Sequence, residues 1–129
     1  MLFKTDFIEI KYFTSNKLVE TTWVGLAPVQ EYRNALKGAL AILKTHDVKR
    51  WIGDYRLAQE PKNDEEWTLN EWAPAFLNGT TKLEKMAKVN SVTLPNNARN
   101  ISEKLNLGNS PFLYQEFDDY EEAKKWITT

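Results

Sequence analysis

The sequence predicts an α/β protein, an open mixed β-sheet with an N-terminal antiparallel hairpin followed by βα crossover units, with helices flanking the sheet. Three observations predict it. Residues 7–13 alternate apolar and polar side chains, and residues 18–24 are rich in β-branched and aromatic ones, on either side of the polar turn TSNK. Beyond them, short apolar runs alternate with segments whose apolar residues recur every three or four positions. Finally, 129 residues with 42% hydrophobic content and five tryptophans are enough for one core, so residues 1–129 are expected to form a single domain.

The first strand places Ile8, Ile10 and Tyr12 on one side and Glu9 and Lys11 on the other. The second is rich in β-branched and aromatic residues, and the two pair about residues 14–17. Gly25 breaks the second strand, and Pro28 suits the first turn of a helix because its missing N–H is not needed there. Val29, Tyr32, Leu36, Ala39, Leu40 and Leu43 then give that helix one apolar face to about Lys44. Residues 48–55 read as a central parallel strand covered on both faces, with WIGDYR as the strand and its exit. Asp64 is a good N-cap for a helix through Leu77 that Pro74 bends or shortens, and Asn78-Gly79 stops it. Residues 86–94 fit a third parallel strand, and Pro95 leads into a short helix that ends before Gly108. Residues 112–117 form a fourth strand of the crossover series or its edge. Asp118 or Asp119 then caps a last helix, DDYEEAKKWI, whose Tyr120, Ala123, Trp126 and Ile127 face the sheet.

Composition excludes several chemistries. With 17 basic and 18 acidic side chains the net charge is −1, which gives no field to attract nucleic acid or an anionic membrane. The absence of cysteine removes disulfides, thiolate catalysis and thiolate metal sites, and fits a reducing, cytoplasmic setting. MLFKTDFIEIKYF is too interrupted by charge for a signal peptide, and no run reaches the roughly 20 apolar residues of a membrane span, so an integral membrane protein is not expected. The single histidine, His46, falls where the first helix ends; a cation is favoured there by the helix dipole, and one histidine makes neither a catalytic triad nor a zinc set. Acid pairs at 65–66, 118–119 and 121–122 sit at helix starts, where the dipole accounts for them. Lys82, Lys85 and Lys88 read as a solvated basic stripe. No catalytic residue, cofactor or metal is predicted.

The element order, together with EYRNALKGALAILKTHDVKRWIGDYR and DEEWTLNEWAPAFL, resembles the SpoIIAA-like branch of the STAS domains, and more closely small bacterial proteins labelled STAS/SEC14-like. The resemblance spans nearly the whole chain. It implies the fold of the anti-sigma-factor antagonists and a regulatory, non-enzymatic role. In the regulatory members a serine at the start of the helix after the second crossover-series strand is phosphorylated and so disrupts partner binding. Here that place holds Asp54, Tyr55, Arg56 and Leu57, with no serine before the helix, so the phosphoswitch does not carry over.

Two regions follow as candidate sites. Ligands of open α/β sheets bind at the carboxyl ends of parallel strands, which singles out Asp54, Tyr55 and Arg56, either as loop-fixing charges or as the seat of a small anionic ligand or lipid headgroup anchored by Arg56. Trp67 and Trp72, five apart and so about 140° round a helix, are not both expected to be fully buried against one sheet; they read either as a broad apolar helix face bent by Pro74 or as a candidate partner surface. The expected function is a non-enzymatic protein-interaction domain of the bacterial cytoplasm, using its hairpin edge or the Trp67/Trp72 helix. An exposed edge strand also favours self-association into a homodimer.

Overall fold

A computed structural model describes residues 3–25, 28–58, 82–90 and 112–129. In chain order these form β1 (Phe3–Lys4), β2 (Ile8–Phe13), β3 (Leu18–Gly25), α1 (Val29–Thr45), β4 (Arg50–Ala58), β5 (Lys85–Val89), β6 (Leu113–Phe117) and α2 (Tyr120–Ile127). Among the described residues the strands make one sheet in the order β1-β2-β3-β4-β5-β6. The first three pair antiparallel, and β3 to β6 run parallel. This is the open mixed α/β sheet expected, with β4 at its centre.

Local chemistry accounts for the boundaries. The hairpin turns through Lys17, a non-glycine residue at φ 55. Its carbonyl accepts the Lys49 and Arg50 N–H groups at 2.9 and 3.2 Å, so the turn is tied to the start of β4 and the unusual backbone is held in place. At the other end of β3, Gly25 adopts φ 71, a left-handed conformation that glycine takes at little cost, and the strand stops there. Pro28 stands just outside α1 and its carbonyl takes the first helical hydrogen bond, from Tyr32 N–H at 2.8 Å. Asp119 caps α2, accepting the Glu122 N–H at 3.1 Å.

Alternation along the strands sends side chains into two cores. Ile8, Ile10, Val19, Trp23 and Trp51 meet Ala35, Leu36, Ala39, Ile42 and Leu43 of α1 on one face. Leu18, Ile52, Ala87 and Val89 meet Ala123 and Ile127 of α2 on the other. Adjacent residues of β4, Trp51 and Ile52, thus serve opposite cores. Both helices run back against the strands. Their starts lie at the carboxyl-end rim, where Tyr32 meets Trp23 and Tyr120 meets Arg56. Their ends lie at the amino-end rim, where His46 meets Tyr12 and the Lys85 ammonium reaches the Trp126 carbonyl.

Several expectations are corrected. β1 was not anticipated; it pairs with Glu9 and Ile10 and occupies part of the hairpin edge that the sequence reading left open. β4 runs from Arg50 to Ala58, so Asp54 to Arg56 lie within the strand and not in its exit loop. β5 ends at Val89, well before residue 94. The helices expected over residues 64–77 and after Pro95, including Trp67 and Trp72, lie outside the described residues.

Candidate functional site

β4 carries a bulge where its charged residues sit. Thr22 stands opposite Asp54 and Val24 opposite Leu57, so Trp23 alone faces both Tyr55 and Arg56. An inserted residue breaks the ladder, frees a backbone group and re-aims a side chain. Here the Arg56 N–H turns to the Asp54 carboxylate, donating to Oδ1 at 3.1 Å. The guanidinium joins it, with Nε at 3.0 Å from Oδ1 and Nη2 at 2.8 Å from Oδ2. Asp54 is 3% exposed and needs these three donors to be tolerated away from water. Its hydrogen bonds hold the Arg56 guanidinium even more firmly protonated than usual.

Arg56 leads to a second buried carboxylate. Its guanidinium carbon lies 4.6 Å from the centre of the Tyr120 ring. The Tyr120 hydroxyl donates to Glu20 Oε1 at 2.6 Å, and the Lys124 ammonium donates to Glu20 Oε2 at 2.5 Å. Burial, and then the bond to Glu20, pushes the Tyr120 phenol well above its ordinary range. Glu20 comes from the middle of β3, Asp54 and Arg56 from β4, and Tyr120 and Lys124 from α2. The chain of contacts therefore fastens α2 to the sheet. Two buried acids are balanced by two cations, with a tyrosine between them.

Tyr55, between Asp54 and Arg56 in sequence, points the other way. On the α1 face it stacks on Trp23, with centroids 6.0 Å apart and planes 11° apart, and Trp23 in turn packs on Tyr32. The Lys88 ammonium lies 5.1 Å from the Tyr55 ring centre. Gly53 leaves room for this ring: a Cβ there would come within 3.1 Å of it. Burial pushes the Tyr55 phenol far up, Tyr32 adds to the effect, and the neighbouring Trp23 indole opposes it. The sheet thus brings Asp54 and Arg56 together and sets Tyr55 apart.

Sequence reasoning missed Glu20, Tyr120, Lys124 and Lys88 as members of these clusters. It read Lys82, Lys85 and Lys88 as one solvated stripe, whereas only Lys82 is exposed. Lys88 is 6% exposed on the α1 face, and Lys85 turns to Trp126 on the α2 face. The available signal was the strand itself, since Ala87 and Val89 flank Lys88 in a strand covered on both sides. His46 caps α1 with its N–H on the Ile42 carbonyl and packs edge-on to Tyr12. Among the described residues, no three His, Cys, Asp or Glu side chains gather closely enough to hold a metal ion, and no helix is long and apolar enough to cross a membrane.

A mixed sheet opened by a hairpin and continued by parallel crossovers, with a helix packed on each face, is a recognised class of α/β architecture. No family model and no curated protein matches the chain. Among solved structures it is similar to the crystal structure of an uncharacterised protein of the DUF3478 family from Shewanella loihica PV-4, which has a SpoIIAA-like fold. The two are 18% identical, the match covers 93% of this chain and 91% of that one, and the TM-score is 0.57. The fold of this chain is SpoIIAA-like.

Proposed function

We propose that this chain is a non-catalytic, STAS-like interaction domain, a cytoplasmic regulator or scaffold that meets its protein partner at the carboxyl-end rim of β3 and β4. One observation carries the reading. Val24 and Leu57, neighbours across the two strands just past the bulge, are 44% and 66% exposed, and Arg56 stands next to Leu57 with its side chain 46% exposed. Apolar residues beside an arginine are the composition on which interface energy concentrates. The buried acids nearby are committed to internal partners, which suits a rigid platform better than general acid or base work. The rim holds no serine between Asp54 and Ala58, so the contact proposed is not governed by the phosphoserine switch of the anti-sigma-factor antagonists.

The test compares tagged wild type with Val24→Asp/Leu57→Asp in capture from native lysate of the source cells. The expected result is a discrete partner held by wild type and lost by the variant, with near-ultraviolet circular dichroism unchanged. Equal capture by both proteins, or none by wild type, overturns the reading.

A second reading, a small anionic ligand or lipid headgroup bound at Arg56, has one observation in its favour. Asp54 uses the Arg56 N–H, Nε and Nη2, leaving Nη1 without a hydrogen-bond partner among the described residues. Thermal-shift measurements with anionic metabolites and lipids decide it: a ligand that binds the native state raises the melting temperature of wild type and not of Arg56→Lys, in which the planar fork is lost.

A further inference from the structure

Among the described residues, exposed charge favours one sign at each rim. Both helices end at the amino-end rim, and cations gather there: Lys44 and Lys125 in the last turns of α1 and α2, Lys17 in the hairpin turn, and Lys49 and Lys82 ahead of β4 and β5. Hydrogen bonds make this one locality, since Lys17 O accepts from Lys49 N–H and Lys49 O accepts from Glu84 N–H at 2.7 Å. Asp47, at its centre, pairs with Lys17 at 2.9 Å, and that hydrogen bond, with Lys82 and Lys49 adding, holds its carboxyl below the usual range. The carboxyl-end rim carries the opposite sign, with Asp118, Asp119, Glu121 and Glu122 all exposed at the start of α2. Arg56, next to Leu57 in β4, is paired with Asp54.

Exposed apolar side chains follow the same division. Among the described residues the large exposed ones are Phe13, Val24, Val29, Leu57 and Leu113. Phe13 and Leu113 stand at the amino-end rim, where β2 ends and β6 begins; Val24, Leu57 and Val29 stand at the carboxyl-end rim, where β3 and β4 end and α1 begins. Among the described residues each rim therefore pairs an excess of one sign of charge with apolar residues, lysines outnumbering Asp47 and Glu84 at the amino end and acids prevailing at the start of α2, and the two excesses are complementary.

We propose that a second copy of this chain docks head to tail, the basic amino-end rim of one molecule on the acidic carboxyl-end rim of the next. The proposal rests on reading the carboxyl-end rim as a contact surface and names its occupant. Because the two surfaces differ, the contact is heterologous: repeated, it extends as an open chain or closes as a ring, and it does not stop at a two-fold dimer. Because opposed charges at the solvent margin hold it, it dissociates as salt is added.

Sedimentation velocity at high protein concentration tests this between roughly 0.02 and 0.5 M NaCl, over which the Debye length falls from about 20 Å to under 5 Å. The average mass of wild type is expected to at least double at the low-salt end and return to monomer at the high. Lys82→Glu/Lys125→Glu cancels the positive excess of the amino-end rim, and Glu121→Lys/Glu122→Lys cancels the negative excess of the carboxyl-end rim. Each variant alone is expected to stay monomeric at low salt, and an equimolar mixture of the two to associate. Wild type monomeric at every salt concentration, association indifferent to salt, or variants that assemble alone as wild type does would overturn the proposal. So would wild type that stays monomeric and sediments with vesicles of anionic phospholipid, which would give the basic rim to a membrane. A monomer that still captures a lysate partner through Val24 and Leu57 would end the head-to-tail contact and leave the interaction reading standing.

Discussion

Arg56 shows how far a residue's role departs from its place in the sequence. WIGDYR was legible as a buried strand carrying a charge pair, and the pairing of Arg56 with Asp54 follows from two complementary groups two positions apart. The bulge that lets Arg56 supply both its amide and its guanidinium was not legible, because a one-residue insertion in a ladder depends on the partner strand and leaves no mark in the residues themselves. Arg56→Ala would leave Asp54 buried with no compensating charge. A loss of about 1–3 kcal/mol is expected, below that of a fully buried pair because the Arg56 side chain is 46% exposed. Arg56→Lys should fall between the two, and urea unfolding of the three proteins measures the order. The tyrosines give a pH signature. Tyr55 and Tyr120 both have phenols raised in the folded protein, chiefly by burial. The native state therefore keeps protons that the unfolded chain releases above a pH of about 10; stability is full below that pH and declines as pH rises past it. Ultraviolet titration should show these two phenols ionising only with unfolding, and Tyr120→Phe should remove part of the alkaline loss.

At the scale of elements, helices and strands whose patterns are local were the readable ones. α1 and α2 follow from the three- and four-residue spacing of their apolar residues, and the hairpin from the alternation of 7–13 and the β-branched and aromatic run 18–24 on either side of TSNK. β1 was invisible because two residues hold no period, and only β2 beside it makes it a strand. The ends of β4 and β5 were misplaced for a related reason: a parallel strand stops where its neighbour stops pairing, which no turn residue announces. Glu20 and Lys88 stayed hidden because a charged residue in a strand is expected to face water, whereas an inner strand covered on both faces has no wet side. α2 depends on few devices, so its cap carries weight. Asp119→Ala removes the acceptor for the Glu122 N–H and should lower stability by about 1 kcal/mol, read as a reduced midpoint in denaturant with an unchanged slope.

For the molecule as a whole, the core under α2 contains, among the described residues, no α1 residue: Leu18, Ile52, Ala87 and Val89 meet Ala123 and Ile127 there. A chain stopped after Asp118 loses that cover along with the partners of Glu20. It should lose cooperative unfolding and bind a hydrophobic dye, as near-ultraviolet circular dichroism and dye fluorescence would show. The order in which the chain is made bears on the same feature. Glu20 bonds to residues 100 and 104 positions later in the sequence. A ribosome releases the chain from its amino end, so the strands emerge long before α2 does. Throughout that interval Ile52 and its neighbours lack the helix that shields them, and Glu20 has neither its phenol nor its ammonium. The nascent polypeptide is then at its most adhesive while most of its sheet is already available, which makes the interval before residue 120 the one in which a chaperone matters most to its yield.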